Sequence, residues 1–249
     1  MTLAITVLGC SGTYAASGGA CSGYLVTGGG VRVWLDCGPG TLANLQAHVD
    51  IGDLDAVVVS HSHPDHWTEL PVFRNAVKYG LEREGVPVYG TAETYERLEA
   101  ALGEAVAPTF VWTTIDAASR VEIGGLVFTF ARTDHPVETL AVRVEEPATR
   151  SSLGYSADTG PGWSFAALGA PLDLAMCEAT LTDEFEGKSP HLTGRQAGAM
   201  ARAAGVRRLV VTHFWPTSDP PLHQADAEAG FGRPVELAVL HARFEVTPA

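Results

Sequence analysis

Three histidines and an aspartate crowd into one short stretch: His61, His63, Asp65 and His66. The segment from Ser60 to Trp67 reads SHSHPDHW and directly follows the apolar run DAVVV. Imidazole nitrogen and carboxylate oxygen together suit Zn²⁺, with Mn²⁺ or Fe as alternatives. In an extended backbone His61 and His63, two positions apart, point the same way. Pro64 keeps His63 extended and then turns the chain, which swings Asp65 and His66 toward a second point. The spacing can therefore supply two adjacent metal sites. A lone histidine is more often a core or surface residue, but four ligand-type residues in the pattern HxHxDH argue against that reading.

Further ligand candidates occupy the same setting. FTFARTDH ends at His135, SLGYSAD at Asp158 and RLVVTH at His213. Each follows an apolar, strand-like run, as His61 does. In sheet proteins, ligands collect beyond the carboxyl ends of strands. Singly, each of the three reads as structural; together with the first four they complete two coordination spheres. Water bridging two divalent metals loses its proton near neutral pH and becomes a nucleophile. The chemistry indicated is two-metal hydrolysis.

The elements that must position these residues are legible as short β-branched runs alternating with helical patterns. Strands are expected at Leu3–Leu8, Ser22–Thr27, Val31–Asp36, Asp55–Ser60, Leu126–Ala131, Thr139–Val144, Ser152–Ala157, Leu172–Cys177 and Arg208–His213. Each is bounded by Gly, Pro or Asp or by a polar segment. Gly28-Gly29-Gly30 reads as a hairpin turn. Helices are expected at Thr41–His48, Glu69–Glu84, Ala92–Leu102 and Thr193–Ala204, the last with Thr193 as N-cap and Gly205 closing it. The fold class is α/β (α+β): two layered sheets with helices outside. No linker divides the chain, so residues 1–249 are expected to form one domain.

The order HxHxDH, then a distant His, an Asp and a His, resembles the metallo-β-lactamase superfamily. The resemblance runs from LGCSG near the start to the C-terminal LHARFEV. It implies an αββα sandwich with metals at the edge between the sheets. It further implies that His61, His63 and His135 bind one metal, that Asp65, His66 and His213 bind the other, and that Asp158 bridges both. The stretch SPHLTGRQAGAMARAAGVRRLVVTHFWP and the segment CEATLTDE are similar to the ribonuclease Z branch. There a histidine at a helix start precedes the last metal histidine, and His191 matches it. The implied roles are Asp65 as a ligand that also accepts the water's proton and His191 as general acid for the leaving alkoxide. Asp36 and Glu178 follow strands and could orient histidine ligands, although structural capping is nearly as good an account. Ribonuclease Z carries a long basic arm between the third metal histidine and the bridging aspartate. Here residues 136–157 hold two strands and the loop EEPATRS, which leaves no room for it. In length and in its LGCSG and CEA segments the chain is similar instead to compact actinobacterial cyclic-nucleotide phosphodiesterases. The expected substrate is a small phosphodiester; tRNA cleavage, or a lactone or thioester, are the alternatives.

Bulk properties narrow the partners. A formal charge of −13 and the lack of any Lys/Arg run disfavour bulk nucleic-acid binding. No apolar run approaches the ~18 residues of a membrane span, and the start MTLAITVLGC lacks a signal peptide's charged region. Cys10, Cys21, Cys37 and Cys177 are scattered and form no C-x-x-C pair, which suits buried thiols in a reducing cytoplasm. Members of the family are often homodimers, and that is the assembly the resemblance implies; no apolar stripe marks a contact face. Trp67, Trp163 and Trp215 lie near the ligands and could wall a pocket or stack a base. Lys188 and Arg195 flank His191 and could hold a phosphate, though solvated charges are the better account.

Overall fold

Both faces of the central strands are apolar, so each sheet must be covered twice. The computed structural model, which describes residues 2–169 and 171–248, meets that demand with four layers. The ends of the expected 1–249 domain, Met1 and Ala249, lie outside the described residues. One seven-stranded sheet comprises β1 (Ala4–Gly9), β2 (Gly23–Gly28), β3 (Val31–Cys37), β4 (Ala56–Val58), β5 (Val86–Gly90), β6 (Phe110–Thr114) and β14 (Arg243–Glu245), in the order β14-β1-β2-β3-β4-β5-β6. The other comprises β7 (Arg120–Ile123), β8 (Leu126–Arg132), β9 (Leu140–Glu146), β10 (Ser151–Tyr155), β11 (Leu174–Glu178), β12 (Arg208–Thr212) and β13 (Glu236–Leu237), in the order β13-β12-β11-β10-β9-β8-β7. Strands β3 to β6 run parallel, as do β10 to β13.

Strand alternation sorts the apolar residues into three cores. Ile5, Val33, Leu35, Val58, Phe128, Val142, Met176 and Val210 fill the space between the sheets. Trp34, Val57 and Val59, on the opposite face, pack with Leu45, Phe73 and Leu98 from α1 (Thr41–Leu45), α3 (Leu70–Asn75) and α4 (Ala92–Leu102). On the far side Ala175, Leu209 and Val211 meet Ala197 and Ala201 of α5 (Gly194–Ala203) and Phe231 of α6 (Pro220–Phe231). The result is an αββα sandwich. Burying one side chain such as Phe128 contributes roughly 1.5–3 kcal/mol, so the inter-sheet core holds the two halves of the site together.

The nine expected strands and the capped helix are all present. Thr193 caps α5 through a reciprocal capping box with Gln196, and Gly205 follows it with φ +70°. Other elements differ from expectation. The helix expected over Glu69–Glu84 starts at Leu70 and passes into a π-turn over Ala76–Gly80, ending before residue 82. Strands β6, β7, β13 and β14 lie at or next to sheet edges, are short and carry exposed polar residues, so they lack an apolar signature. Pro87 masks β5, and Pro220-Pro221 makes the start of α6 look like a turn, although proline at the first helical position is favourable.

Candidate metal centre

Each ligand candidate stands where a strand ends. His61 follows β4, His135 follows β8, Asp158 follows β10 and His213 follows β12. His63 precedes the short helix α2 (Pro64–Trp67), whose single turn presents Asp65 and His66. The turn enforced by Pro64 thus divides the motif as its spacing suggests. Two donor sets result, in each of which the ligand atoms lie within 4.8 Å of one another: His61, His63, His135 with Asp158, and Asp65, His66 with His213. Asp158 faces both. Its Oδ1 is 3.2 Å from His66 Nε2 and 3.3 Å from His213 Nε2. Its Oδ2 is 3.5 Å from His61 Nε2 and 3.9 Å from His135 Nε2.

Hydrogen bonds behind four of the five histidine donors decide which nitrogen of each of those imidazoles faces inward. His66 Nδ1 donates to Asp36 Oδ2 at 2.8 Å. Ser60 Oγ donates to the same oxygen at 2.8 Å, so its lone pair accepts from His61 Nδ1 at 3.0 Å. His135 Nδ1 donates to the Pro190 carbonyl at 3.2 Å. Thr180 Oγ1 donates to Glu178 Oε2 at 2.7 Å and accepts from His213 Nδ1 at 2.7 Å. With those donations made, four Nε2 lone pairs point into the centre. Those of His66 and His213 face each other at 3.3 Å, which repels unless a proton or a cation lies between them. His61 Nε2 and Asp158 Oδ1 are buried without a hydrogen-bond partner among the described residues. Buried, unpartnered donors of this kind fit a divalent metal.

The electrostatics agree. Burial, helped by His66, lowers the His61 imidazole to about 4, so it is neutral as a ligand must be. Burial also lowers His63 and His135. For Asp65, burial pushes toward the neutral acid, but His66 and His213 outweigh it and hold the carboxyl below the usual range. Asp158 is likewise held well below its ordinary value, burial being outweighed by His213, His66 and His61. Burial opposes a charge on His66, yet Asp158, Asp65 and Asp36 draw a proton onto it. A cation among the donors would supply that positive charge instead.

Asp36 and Glu178 each accept a hydrogen bond from a histidine. Asp36 Oδ1 accepts from the Ser60 amide at 2.7 Å, and its Oδ2 also accepts from the Tyr155 hydroxyl at 2.8 Å. Glu178 Oε1 accepts from His191 Nδ1 at 2.9 Å and from the Thr159 amide at 2.7 Å. His191 lies in the loop before α5, its ring centroid 5.5 Å from that of His213 and 5.3 Å from that of His135. Burial works against its protonation, but Glu178 and then Asp158 and Asp65 raise it to about 9. His191 also falls within 4.8 Å of Asp158 and His213 donors, but its Nδ1 is committed to Glu178. Asp65 Oδ2 accepts from the Thr13 amide at 2.7 Å.

Ser60, Tyr155, Thr180 and Thr13 complete the centre without having been singled out in the sequence; adjacency to a ligand motif is the one signal that Ser60 and Thr180 carry. Asp36, Ala157 and His213 adopt φ of +57°, +50° and +62°, conformations costing about 1–3 kcal/mol each that cluster where function demands them. Gly12 and Gly38 allow close approach: a Cβ would lie 2.8 Å from the His213 ring and 2.0 Å from the Asp65 carbonyl, respectively. Among the tryptophans, Trp67 is buried and donates to the Ser62 carbonyl at 2.9 Å, and Trp163 is buried against Phe165. Both are wall, while half-buried Trp215 meets the exposed Phe185 edge. Arg195 pairs with Asp183 and Asp226, and Lys188 is exposed.

Over residues 31–214 the chain matches the family described as the beta-lactamase superfamily domain. It is 33% identical to the uncharacterized protein Rv1339 of Mycobacterium tuberculosis, across 100% of this chain and 94% of that one. It is 27% identical to a ribonuclease Z of Kineococcus radiotolerans, across 90% of this chain and 87% of that enzyme. The crystal structure of the metallo-β-lactamase fold protein YhfI from Bacillus subtilis superposes with a TM-score of 0.91 at 26% identity, covering 98% of this chain and 100% of YhfI. With these likenesses added to the buried His/Asp donor sets, the chain belongs to the metallo-β-lactamase superfamily and is a metal-dependent hydrolase.

Proposed function

We propose that the chain is a two-metal phosphodiesterase acting on a small nucleotide phosphodiester of the cyclic-nucleotide type. His61, His63 and His135 would hold one cation, Asp65, His66 and His213 the other, and Asp158 both; zinc is the expected metal, with manganese or iron as alternatives. Two such cations supply an acidified water and neutralise non-bridging phosphate oxygens. Asp65, whose Oδ2 accepts from the Thr13 amide, would take the attacking water's proton. His191 would give a proton to the leaving alkoxide. Its Nδ1 is tied to Glu178, so the proton available for transfer is on Nε2.

The observation that carries this reading is His191 itself: an imidazole bonded through Nδ1 to Glu178 and lying beside both donor sets. Lactone or thioester hydrolysis has less use for an acid there. A sugar hydroxyl leaves poorly without one. Ribonuclease Z-like cleavage is the second reading, favoured by the Kineococcus relative. Against it, β9 and β10 pair directly across a short turn at residues 147–150, which leaves no arm to grip a tRNA. The net charge of −13 would also repel a polyanion. We take residues 1–249 as one domain, supported by β14 pairing beside β1, and place the protein in the cytoplasm, supported by four free cysteines. No helix among the described residues is long and apolar enough to cross a membrane.

The test is a substrate screen of metal-reconstituted protein against cyclic mononucleotides, dinucleotides, precursor tRNA and a lactone and thioester panel. Turnover of a cyclic nucleotide well above the rest is expected. Preference for a lactone or thioester overturns the reading.

A further inference from the structure

One metal donor, His213, and the candidate acid, His191, are anchored through one carboxylate, and the two branches are chemically distinct. Glu178 Oε1 receives His191 Nδ1 at 2.9 Å and the Thr159 amide at 2.7 Å. Glu178 Oε2 receives the Thr180 hydroxyl at 2.7 Å and the Leu192 amide at 3.2 Å. The Thr180 hydroxyl in turn lies 2.7 Å from His213 Nδ1. We propose that Thr180 is a positioning residue of the metal centre: its hydroxyl, oriented by Glu178, holds His213 in the tautomer that presents a bare Nε2 to Asp65 and Asp158. The inference rests on the reading of His213 as a metal ligand.

The argument is one of proton counting. A hydroxyl has one proton, and a carboxylate can only accept. The bond to Glu178 is charge-assisted and short, so it takes that proton. The oxygen then has only lone pairs left for His213, whose Nδ1 must carry hydrogen. In the neutral ring its other nitrogen, Nε2, is then bare, 3.3 Å from Asp65 Oδ2 and 3.3 Å from Asp158 Oδ1. Thr180, Glu178 and His213 are all buried, with exposures of 1%, 1% and 2%, so water does not compete for these bonds. The alternative tautomer would set the Nδ1 lone pair against the lone pairs of Thr180 and aim an N–H at the place where a cation belongs.

His213 has particular need of this anchor. Its φ of +62° lies in the left-handed region, off the path of β12, so the strand does not aim the side chain. On one side the ring lies so close to Gly12 that a Cβ there would come within 2.8 Å of it. On the other side, Thr180 supplies the hydrogen bond that fixes its rotation. His66, across the same donor set, has Asp36 as a direct carboxylate partner. His213 reaches its carboxylate only through the Thr180 hydroxyl, and so shares Glu178 with His191.

Thr180→Val keeps the side chain's shape and removes the hydroxyl. It leaves the Glu178 Oε1 branch, and hence His191, in place. Loss of such an outer partner typically weakens metal binding about 10–100-fold. Zn²⁺ titration of the full-length metal-free chain, read by calorimetry and elemental analysis, should show that loss for the weaker-held ion. Thr180→Ser should restore it. The ratio of turnover on an unactivated diester to turnover on a p-nitrophenyl ester should stay at the wild-type value, because the acid is untouched. Independently, ¹⁵N NMR of metal-free wild-type protein should show His213 with hydrogen on Nδ1, a readout that stands even if a variant folds poorly. His213→Ala run in parallel separates the layers of the argument. Loss in His213→Ala with none in Thr180→Val overturns the role of Thr180 alone, as would hydrogen on Nε2 and none on Nδ1 of His213 in the wild type. No loss in either variant overturns the reading of His213 as a ligand.

Discussion

Replacing His191 by alanine separates the phosphodiesterase reading from its rivals. The imidazole donates to Glu178 Oε1 and accounts for no other hydrogen bond shorter than 3.5 Å. Glu178 keeps the Thr159 and Leu192 amides and the Thr180 hydroxyl after the change. Metal content should therefore be intact, which elemental analysis can check first. The magnitude follows from the proton. Glu178 draws a proton onto His191 against the opposing effect of burial, so the wild type has an acid to lose. General acids contribute about 10²–10⁴-fold, or roughly 3–5.5 kcal/mol of barrier. Hydrolysis of a cyclic nucleotide should fall by that factor. A p-nitrophenyl ester leaves readily as its anion, and its hydrolysis should fall far less. The assay is kcat for both substrates at saturating metal. Equal losses on the two would mean that His191 holds the substrate or the fold. No loss on either would refute the argument and move belief to a lactone or thioester.

The wild-type rate on the unactivated diester should also show an alkaline limb. The acid form is lost as pH rises through the His191 pKa, which Glu178 raises and bound cations oppose; a pH profile without that limb, or one shared with the p-nitrophenyl ester, speaks against the role. Asp158→Ala should leave fewer than two metals per chain, because its two oxygens face different donor sets, and two tightly held ions in elemental analysis would defeat the bridging assignment. Asp36→Ala strips the acceptor from the Ser60 amide and hydroxyl, His66 and the Tyr155 hydroxyl, all buried. At about 1–3 kcal/mol for each stranded donor, urea unfolding should show a loss of at least ~3 kcal/mol, and a loss below ~1 would mean that the network relaxes. Precursor tRNA should bind weakly, and tight, salt-sensitive binding in a filter assay would contradict the charge argument.

The chemistry was written in the sequence because metal ligands must be of particular residue types and HxHxDH is a local pattern. Pro64 alone told where the motif would divide, and the β-branched runs before His61, His135, Asp158 and His213 told that strands would deliver all four. Thr193 and Gly205 marked α5 for the same reason: caps are local. Edge strands β6, β7 and β14 were hidden, since a half-exposed strand has no continuous apolar run and is defined by its partner. The divided stance of Asp158, with Oδ1 toward one donor set and Oδ2 toward the other, is a property of two sheets packed face to face. The chain of hydrogen bonds from Asp36 through Ser60 to His61, and that from Glu178 through Thr180 to His213, depend on strands pairing within each sheet, β3 with β4 and β11 with β12. Each has a link between residues distant in sequence, Asp36 to Ser60 and Thr180 to His213, and hydrogen bonding, unlike ligand identity, leaves no pattern in residue type. The sequence determined which atoms could bind a metal; only the tertiary placement of strands and loops decided which nitrogen His61, His66, His135 and His213 turn toward it.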